Sequence, residues 1–328
     1  MRAPGFWWNP PARPGLWARL LAPLGWLWAA ATRRRMAAAG VRLGVPVICV
    51  GNLTAGGTGK TPTVIALVER LKARGVAVQV ISRGHGGSLP GPVRVEERRH
   101  RAAEVGDEPL LLAAFAPVWV ARDRAAAGRA AVADGAAAVV MDDGLQNPSL
   151  AKDLTLVVVD AETGFGNGRV IPAGPLREPV AAGLARVDLA LAVGPPEARA
   201  LLREGWPGTE VPLLGGALEP LRTGMDWQGL RALAFAGIGR PEKFFATLRR
   251  LGAELVAARS FPDHAAFDPR LLARLQAEAK ARGAQLVTTE KDAARLPAAF
   301  RMRVLVLPVR LELEDWAPVD AAFERLGL

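Results

Sequence analysis

The sequence predicts an α/β protein with a doubly wound, mostly parallel sheet and a second, smaller α/β domain. Three observations predict it. Residues 51–62 read GNLTAGGTGKTP directly after an apolar strand, strand-like runs alternate with helical stretches, and a further strand ends in Asp142-Asp143. A glycine loop between strand and helix makes the larger sheet P-loop NTPase-type.

Length and composition set the frame. With 328 residues, half of them apolar and 23% charged, the chain can bury a full core. Two domains are expected, 1–217 and 218–328, divided where the apolar pattern weakens between Pro212 and Arg222. The one cysteine, Cys49, lies in the apolar run from Val45 to Val50. It is expected as a buried thiol in a reducing compartment. No cleavable signal peptide is recognisable, which predicts a cytoplasmic-side chain.

In chain order, the N-terminus is basic and aromatic. No acidic residue precedes Glu69, whereas Arg2, Arg13, Arg19, Arg33, Arg34, Arg35, Arg42 and Lys60 do, along with Trp7, Trp8, Trp17, Trp26 and Trp28. The net charge of +10 arises from 36 Arg against 6 Lys and also fits a compositional bias; its clustering is the informative part. Basic residues interleaved with Trp and Leu suit the headgroup boundary of an anionic bilayer. Leu20 to Thr32 is uncharged but only 13 residues long, short of the roughly 20 that a spanning helix needs. Trp17, Leu20, Leu21, Leu24, Leu27, Trp28 and Ala31 can share one helical face. That face either lies on a membrane surface or docks on the chain's own domain. No nucleic-acid fold signature accompanies the charge, so no nucleic-acid partner is expected.

Val45 to Val50 reads as a buried strand, and Thr61 to Arg74 as a helix with Ile65, Leu67, Val68 and Leu71 apolar. Strands are expected at 76–81, 118–121, 136–141, 154–159 and 187–193, with helices at 108–115 and 124–134. Gly164 to Pro179 is rich in Gly and Pro and reads as a long functional loop at the strand ends. The second unit is expected to alternate strand 230–236, helix 243–251, strand 254–258, helix 269–282, and strands 285–288 and 304–307.

Glycines before a Lys-Thr pair solve a phosphate-binding problem. Gly56, Gly57 and Gly59 let backbone N–H groups point at phosphate oxygens, and the helix beginning near Lys60 adds its positive end. Lys60 supplies a point charge, and the Thr61 hydroxyl suits magnesium. The usual spacing would place glycine where this chain has Thr54. Asp142 and Asp143 close an apolar strand, where a carboxylate can hold magnesium directly or through water; Asp-Asp-Gly also makes a good turn. Of the histidines, His100 sits in a solvated charge run. His264, after Phe261-Pro262-Asp263, is placed to face a cleft as a base or to be a satisfied loop histidine.

The chain resembles the tetraacyldisaccharide 4'-kinases of lipid A biosynthesis. The resemblance rests on GNLTAGGTGKTP (51–62), SRGHG (82–86), VGDEP (105–109), DDGLQ (142–146), PAGPLREP (172–179), FAGIGRPEKF (235–244), FPDH (261–264) and TTEKDAARL (288–296). It implies a membrane-associated cytoplasmic enzyme that moves the ATP γ-phosphate to the 4'-hydroxyl of tetraacyldisaccharide 1-phosphate, an acylated disaccharide lipid, forming lipid IVA. The implied location is peripheral, on the cytoplasmic face of the inner membrane. It also implies two domains joined by two linker strands, near 219–223 and 307–313.

By motif, Asp107 and His264 match the family's catalytic pair, with Lys60 steadying the phosphates. Thr54, Ala55, Gly56, Gly57, Thr58, Gly59, Lys60 and Thr61 match its ATP loop. Thr61, Asp142 and Asp143 match the magnesium (Mg2+) ligands, and Glu108, Gln146, Arg177 and Glu178 match supporting residues, the last three at the nucleotide. Two positions depart from the family pattern: His85 stands where Tyr is usual, and Asn147 where His is common. Two other readings stay open: a P-loop enzyme acting on a soluble small molecule, and a nucleotide-switch ATPase.

Overall fold

The computed structural model describes residues 3–207, 210–263 and 265–328. After a 3-10 turn at Gly5–Trp8 come helices α1 (Leu16–Leu20) and α2 (Ala22–Met36). The larger unit then runs β1 (Val47–Gly51), α3 (Lys60–Ala73), β2 (Val78–Ser82), β3 (Val93–Arg94), α4 (Ala102–Val105), α5 (Asp107–Ala113), β4 (Val118–Val120) and α6 (Arg124–Ala133). It continues with β5 (Ala138–Asp142), β6 (Leu154–Asp160), α7 (Val180–Leu184), β7 (Leu189–Val193), α8 (Pro196–Glu204) and β8 (Leu213–Pro220). The smaller unit comprises β9 (Arg231–Ala236), α9 (Pro241–Arg250), β10 (Glu254–Ser260), α10 (Pro269–Ala281), β11 (Gln285–Thr289), α11 (Glu290–Ala293), α12 (Ala298–Arg301) and β12 (Val304–Leu307). The chain returns through β13 (Val309–Leu313) and ends in α13 (Ala317–Arg325).

Among the described residues these strands form two sheets. The nine-stranded one has the order β13-β8-β7-β6-β1-β5-β2-β4-β3, and the four-stranded one β10-β9-β11-β12. In the large sheet β4 to β8 run parallel through β2, β5, β1, β6 and β7, with antiparallel β3 and β13 at its edges. The small sheet is parallel throughout. Helices cover both faces, so β1, β2, β5, β6 and β7 are buried along their whole length. This is why they read as continuous apolar runs rather than alternating ones.

Strand β8 lies where the sequence pattern weakened. Gly215 and Gly216 deprive it of side chains, and its place near the edge relaxes the demand for apolar residues. Its antiparallel pairing with β13 carries the chain out of the large sheet and back into it.

The N-terminal segment is two helices rather than one, with the break at Leu21 just before Pro23. The face buried against the protein is the small one, Ala18, Ala22, Gly25 and Thr32. A Cβ at Gly25 would come within 2.9 Å of the Val170 carbonyl oxygen, so glycine is what lets α2 approach the 164–179 loop. Trp17, Leu20, Leu24, Trp26, Leu27 and Trp28 are exposed. Among the described residues no helix is long and apolar enough to cross a membrane.

The last helix braces the first site helix. Phe323 is fully buried in the same cluster as Leu67, Val68 and Leu71 of α3. Asp320 accepts from Arg70 Nε at 2.9 Å and pairs with Arg74 at 3.1 Å. Phe323→Ala is expected to lower stability by about 3–5 kcal/mol through the cavity it opens. Asp320→Ala should cost no more than about 1 kcal/mol, because that pair is partly solvated. Urea unfolding of the two variants checks the order.

Candidate active site

The glycine loop is pinned from one side. Asn52 Nδ2 donates to the carbonyls of Thr54 (2.7 Å) and Gly56 (3.3 Å). Ala55 N donates to Pro175 O, and Arg177 N to Leu53 O, both at 2.7 Å, so residues 53–55 pair with 175–177 like two strands. Thr54 sits opposite Leu176 in that pairing, in a position with no call for glycine. The glycines that are needed come later: Gly56 has φ +129° and Gly59 φ +96°. A Cβ at Gly56 or Gly57 would meet nothing within 4 Å, which leaves the approach to the loop amides open. Thr58 Oγ1 is buried with no partner among the described residues, as a group awaiting a ligand would be. α3 then begins at Lys60, with Thr61 its second residue.

Beside the loop stand two carboxylates with opposite surroundings. Asp142 ends β5 and is 1% exposed; its Oδ2 accepts from Ser82 Oγ at 3.1 Å, while Oδ1 has no partner among the described residues. Burial pushes its carboxyl up to about 7, with the nearby Glu108 and Asp143 charges adding to the effect. Asp143, at φ 48°, turns toward cations. Arg177 Nη1 donates to both of its oxygens (2.9 and 3.1 Å), and Lys60 Nζ lies 3.6 Å away. Burial raises the Asp143 carboxyl, but Lys60 and Arg177 together bring it below the ordinary range. Cys49, behind them in β1, is free and fully buried, and burial pushes its thiol up to about 11.

Gln146 and Glu178 form the loop's floor. Gln146 Nε2 donates to Asn52 O (3.0 Å) and to Glu178 Oε1 (2.9 Å). Glu178 is 2% exposed, and both of its oxygens accept from Arg186 Nη2. Asn147 is engaged locally, its Oδ1 accepting from Ser149 N at 2.9 Å.

The opposite wall combines both sheets. Asp107 opens α5 and is buried; its Oδ1 accepts from Glu108 N at 3.0 Å. Lys291 of α11 lies 3.3 Å from Glu108 and 3.5 Å from Asp263. The loop between β9 and α9 reaches the glycine loop: a Cβ at Gly239 would stand 3.8 Å from the Gly57 nitrogen. Nearby, Arg240 and Lys243 pair with Asp160 at 2.8 and 2.9 Å and also with Glu162. His264 lies outside the described residues.

The structure therefore brings Lys60, Asp142, Asp143, Gln146, Arg177 and the 54–61 loop together, with Asp107 at the neighbouring helix start. Sequence reasoning did not single out Asn52, Ser82 or Arg124. Arg124 Nη2 donates to the Asp142 carbonyl at 3.3 Å from a buried position, and nothing in local pattern marks it. Among the described residues no three His, Cys, Asp or Glu side chains form a metal cluster. Magnesium typically takes one or two carboxylates and completes its shell with phosphates and water, so the orphaned Asp142 Oδ1 beside Asp143 fits that ion.

Asp142 gives a testable stability effect. Its folded pKa near 7 exceeds its ordinary 3.8, so the wild-type chain loses stability as pH rises from about 4 to about 7. Asp142→Asn removes that loss and can keep the Ser82 contact. The metal-free variant should match wild type near pH 4 and exceed it by on the order of 2–4 kcal/mol above pH 7, as read from urea unfolding at several pH values.

Comparison with known proteins gives the family and the fold. The family model described as tetraacyldisaccharide-1-P 4'-kinase (LpxK) matches residues 17–326. The chain is 65% identical to the tetraacyldisaccharide 4'-kinase of Dinoroseobacter shibae, covering 99% of this chain and 98% of that one. It is 57% identical to the one from Jannaschia sp. (strain CCS1), covering 99% of each. A crystal structure of LpxK from Aquifex aeolicus in complex with ATP superposes with a TM-score of 0.76 at 26% identity, covering 95% of this chain and 99% of that one. With a P-loop beside paired carboxylates, and relatives alike over nearly their whole length, this chain belongs to the tetraacyldisaccharide-1-phosphate 4'-kinase family.

Proposed function

We propose that the cleft between the two sheets carries out this family's reaction: transfer of the ATP γ-phosphate to the 4'-hydroxyl of tetraacyldisaccharide 1-phosphate, giving lipid IVA and ADP. The observation that carries the reading is the pinned, ligand-accessible glycine loop with Lys60 and Asp143 at its mouth. The backbone amides of residues 54–61 would hold the phosphates, and Lys60 would exchange Asp143 for phosphate oxygens. Arg177 would follow the same logic with its planar fork, while Gln146 and Glu178 hold the loop floor. A magnesium ion held by Thr61 and Asp142, with Asp143 nearby, would supply charge neutralisation for the phosphates.

Asp107 and His264 form the proposed base. The sugar hydroxyl oxygen attacks the γ-phosphorus, the bond from that phosphorus to the ADP oxygen breaks, and the hydroxyl proton passes to the His264–Asp107 pair. Most of the rate would come from positioning and charge stabilisation. The division into domains 1–217 and 218–328 belongs to the same proposal. It is supported by the two sheets, with β8, which contains residue 217, and β13 as the linking strands.

Peripheral attachment to the cytoplasmic face of the inner membrane completes the reading. The exposed Trp and Leu residues of α1 and α2 and the Arg33-Arg34-Arg35 run support it. So does a groove of about 580 Å³ whose lining combines Trp26, Ala29, Ala30 and Ala182 with Arg33 and Arg186.

Labelled-phosphate transfer from ATP to the purified disaccharide lipid tests the function. Lys60→Ala and Asp107→Ala should each lower turnover at least a hundredfold with the fold intact; near-normal product from either would sink the assignment. Activity confined to soluble acceptors, or slow phosphate release alone, would favour the alternative readings. Replacing Trp26 and Leu27 with Gln should weaken sedimentation with anionic vesicles at least severalfold and leave the melting temperature unchanged.

A further inference from the structure

Arg295, which follows α11, ties four segments of the cleft together. Its side chain is 6% exposed and its guanidinium lies 5.3 Å from the Phe267 ring centroid. Nη1 donates to Ala265 O at 3.0 Å, and Nη2 donates to Gly237 O at 2.7 Å and to the buried Asp292. Nε has no hydrogen-bond partner among the described residues, and it stands 3.6 Å from Oδ2 of Asp107, a carboxylate as buried as Arg295 itself. Asp107 belongs to the large-sheet unit, and the other four contacts, on three segments, belong to the small-sheet unit.

The geometry follows from the guanidinium's shape. Two backbone carbonyls and a ring face fix its plane, so the direction of Nε is set before Asp107 is met. The carbonyls it holds lie in the segments after β9 and β10, the first of which reaches the glycine loop at Gly239. Asp292 also accepts from Gly237 N at 3.0 Å and from Thr289 Oγ1 at 2.8 Å, so the anchor is itself held in place. A buried carboxylate such as Asp107 is favoured by nearby positive charge, and the Arg295 guanidinium brings one such charge to it from the small-sheet unit.

We propose that Arg295 is a positioning residue for Asp107. It holds that carboxylate in register with the loop after β10, so that the base is assembled only when the small sheet is docked on the large one. The inference rests on the reading of Asp107 as part of the base.

Full-length Arg295→Met, Arg295→Lys and the double variant Arg295→Met/Asp292→Asn provide the test, assayed with ATP and tetraacyldisaccharide 1-phosphate in mixed micelles. The double variant removes both halves of the buried pair, so it keeps the test decisive where Arg295→Met alone melts early. kcat is expected to fall at least tenfold in the Met-containing variants, with KM for ATP within twofold of wild type. Arg295→Lys should recover part of kcat by retaining the charge. In an Asp107→Asn background, Arg295→Met should produce no additional fall.

Wild-type kcat in a folded Met variant overturns the inference. So does an equal fall in the Asp107→Asn background, or a loss shared between kcat and ATP affinity. These outcomes leave the proposed function standing while wild type turns over the lipid; an inactive wild type, or a fully active Asp107→Asn enzyme, would instead remove the functional reading.

Discussion

The site depends on one backbone constraint: the glycine loop is held by strand-like pairing with residues 175–177. A phosphate cradle made of N–H groups works only if those groups are already aimed, because ordering them at the moment of binding would cost conformational entropy for every residue fixed. The bonds from Ala55 N to Pro175 O and from Arg177 N to Leu53 O fix the first half of the loop, and Asn52 closes it from within. The same 164–179 segment carries Arg177 and Glu178 and receives α2 at Gly25. Loop, cation, floor and N-terminal helix are therefore one connected piece of structure.

Charge is distributed in the cleft so that most ionic groups already have partners, and those partners can be exchanged. Lys60 and Arg177 rest on Asp143, while Asp142 stays buried and poorly compensated. Buried charge left uncompensated costs folding free energy, so its presence beside a phosphate loop marks a position tuned for something other than stability. Across the cleft, Asp160 with Arg240 and Lys243, Glu108 with Lys291, and Asp107 with Arg295 join the two sheets. Ion pairs next to the site thus take part in docking the small sheet.

The N-terminal helices show the same separation between packing and surface. Small residues let α1 and α2 sit against the body, and the large apolar ones are left outside. A helix selected only to fill a core would place Leu and Trp inward and its small residues outward. The reversed arrangement, beside an Arg cluster, suits an amphipathic boundary.

Much of this was legible in the sequence because it depends on local rules. The parallel sheet follows from fully apolar strands alternating with helices, the phosphate loop from its glycines and Lys60, and the family from motifs in order along the chain. Asp142 and Asp143 were marked by their place at a strand end. Other features needed the folded chain because they depend on residues far apart in sequence. β8 becomes a strand through its neighbours, since its glycines carry no pattern of their own. Thr54 fits because Leu176 lies opposite it. Asp142 and Asp143, adjacent in sequence, acquire opposite electrostatic character from burial and from Arg177, and Arg295 meets Asp107 only once two sheets are brought together. The sequence by itself determined which chemistry the chain carries, because glycine conformation and side-chain type are local properties. Tertiary structure alone decided which groups share a charge environment, because burial and distance exist only in the folded state.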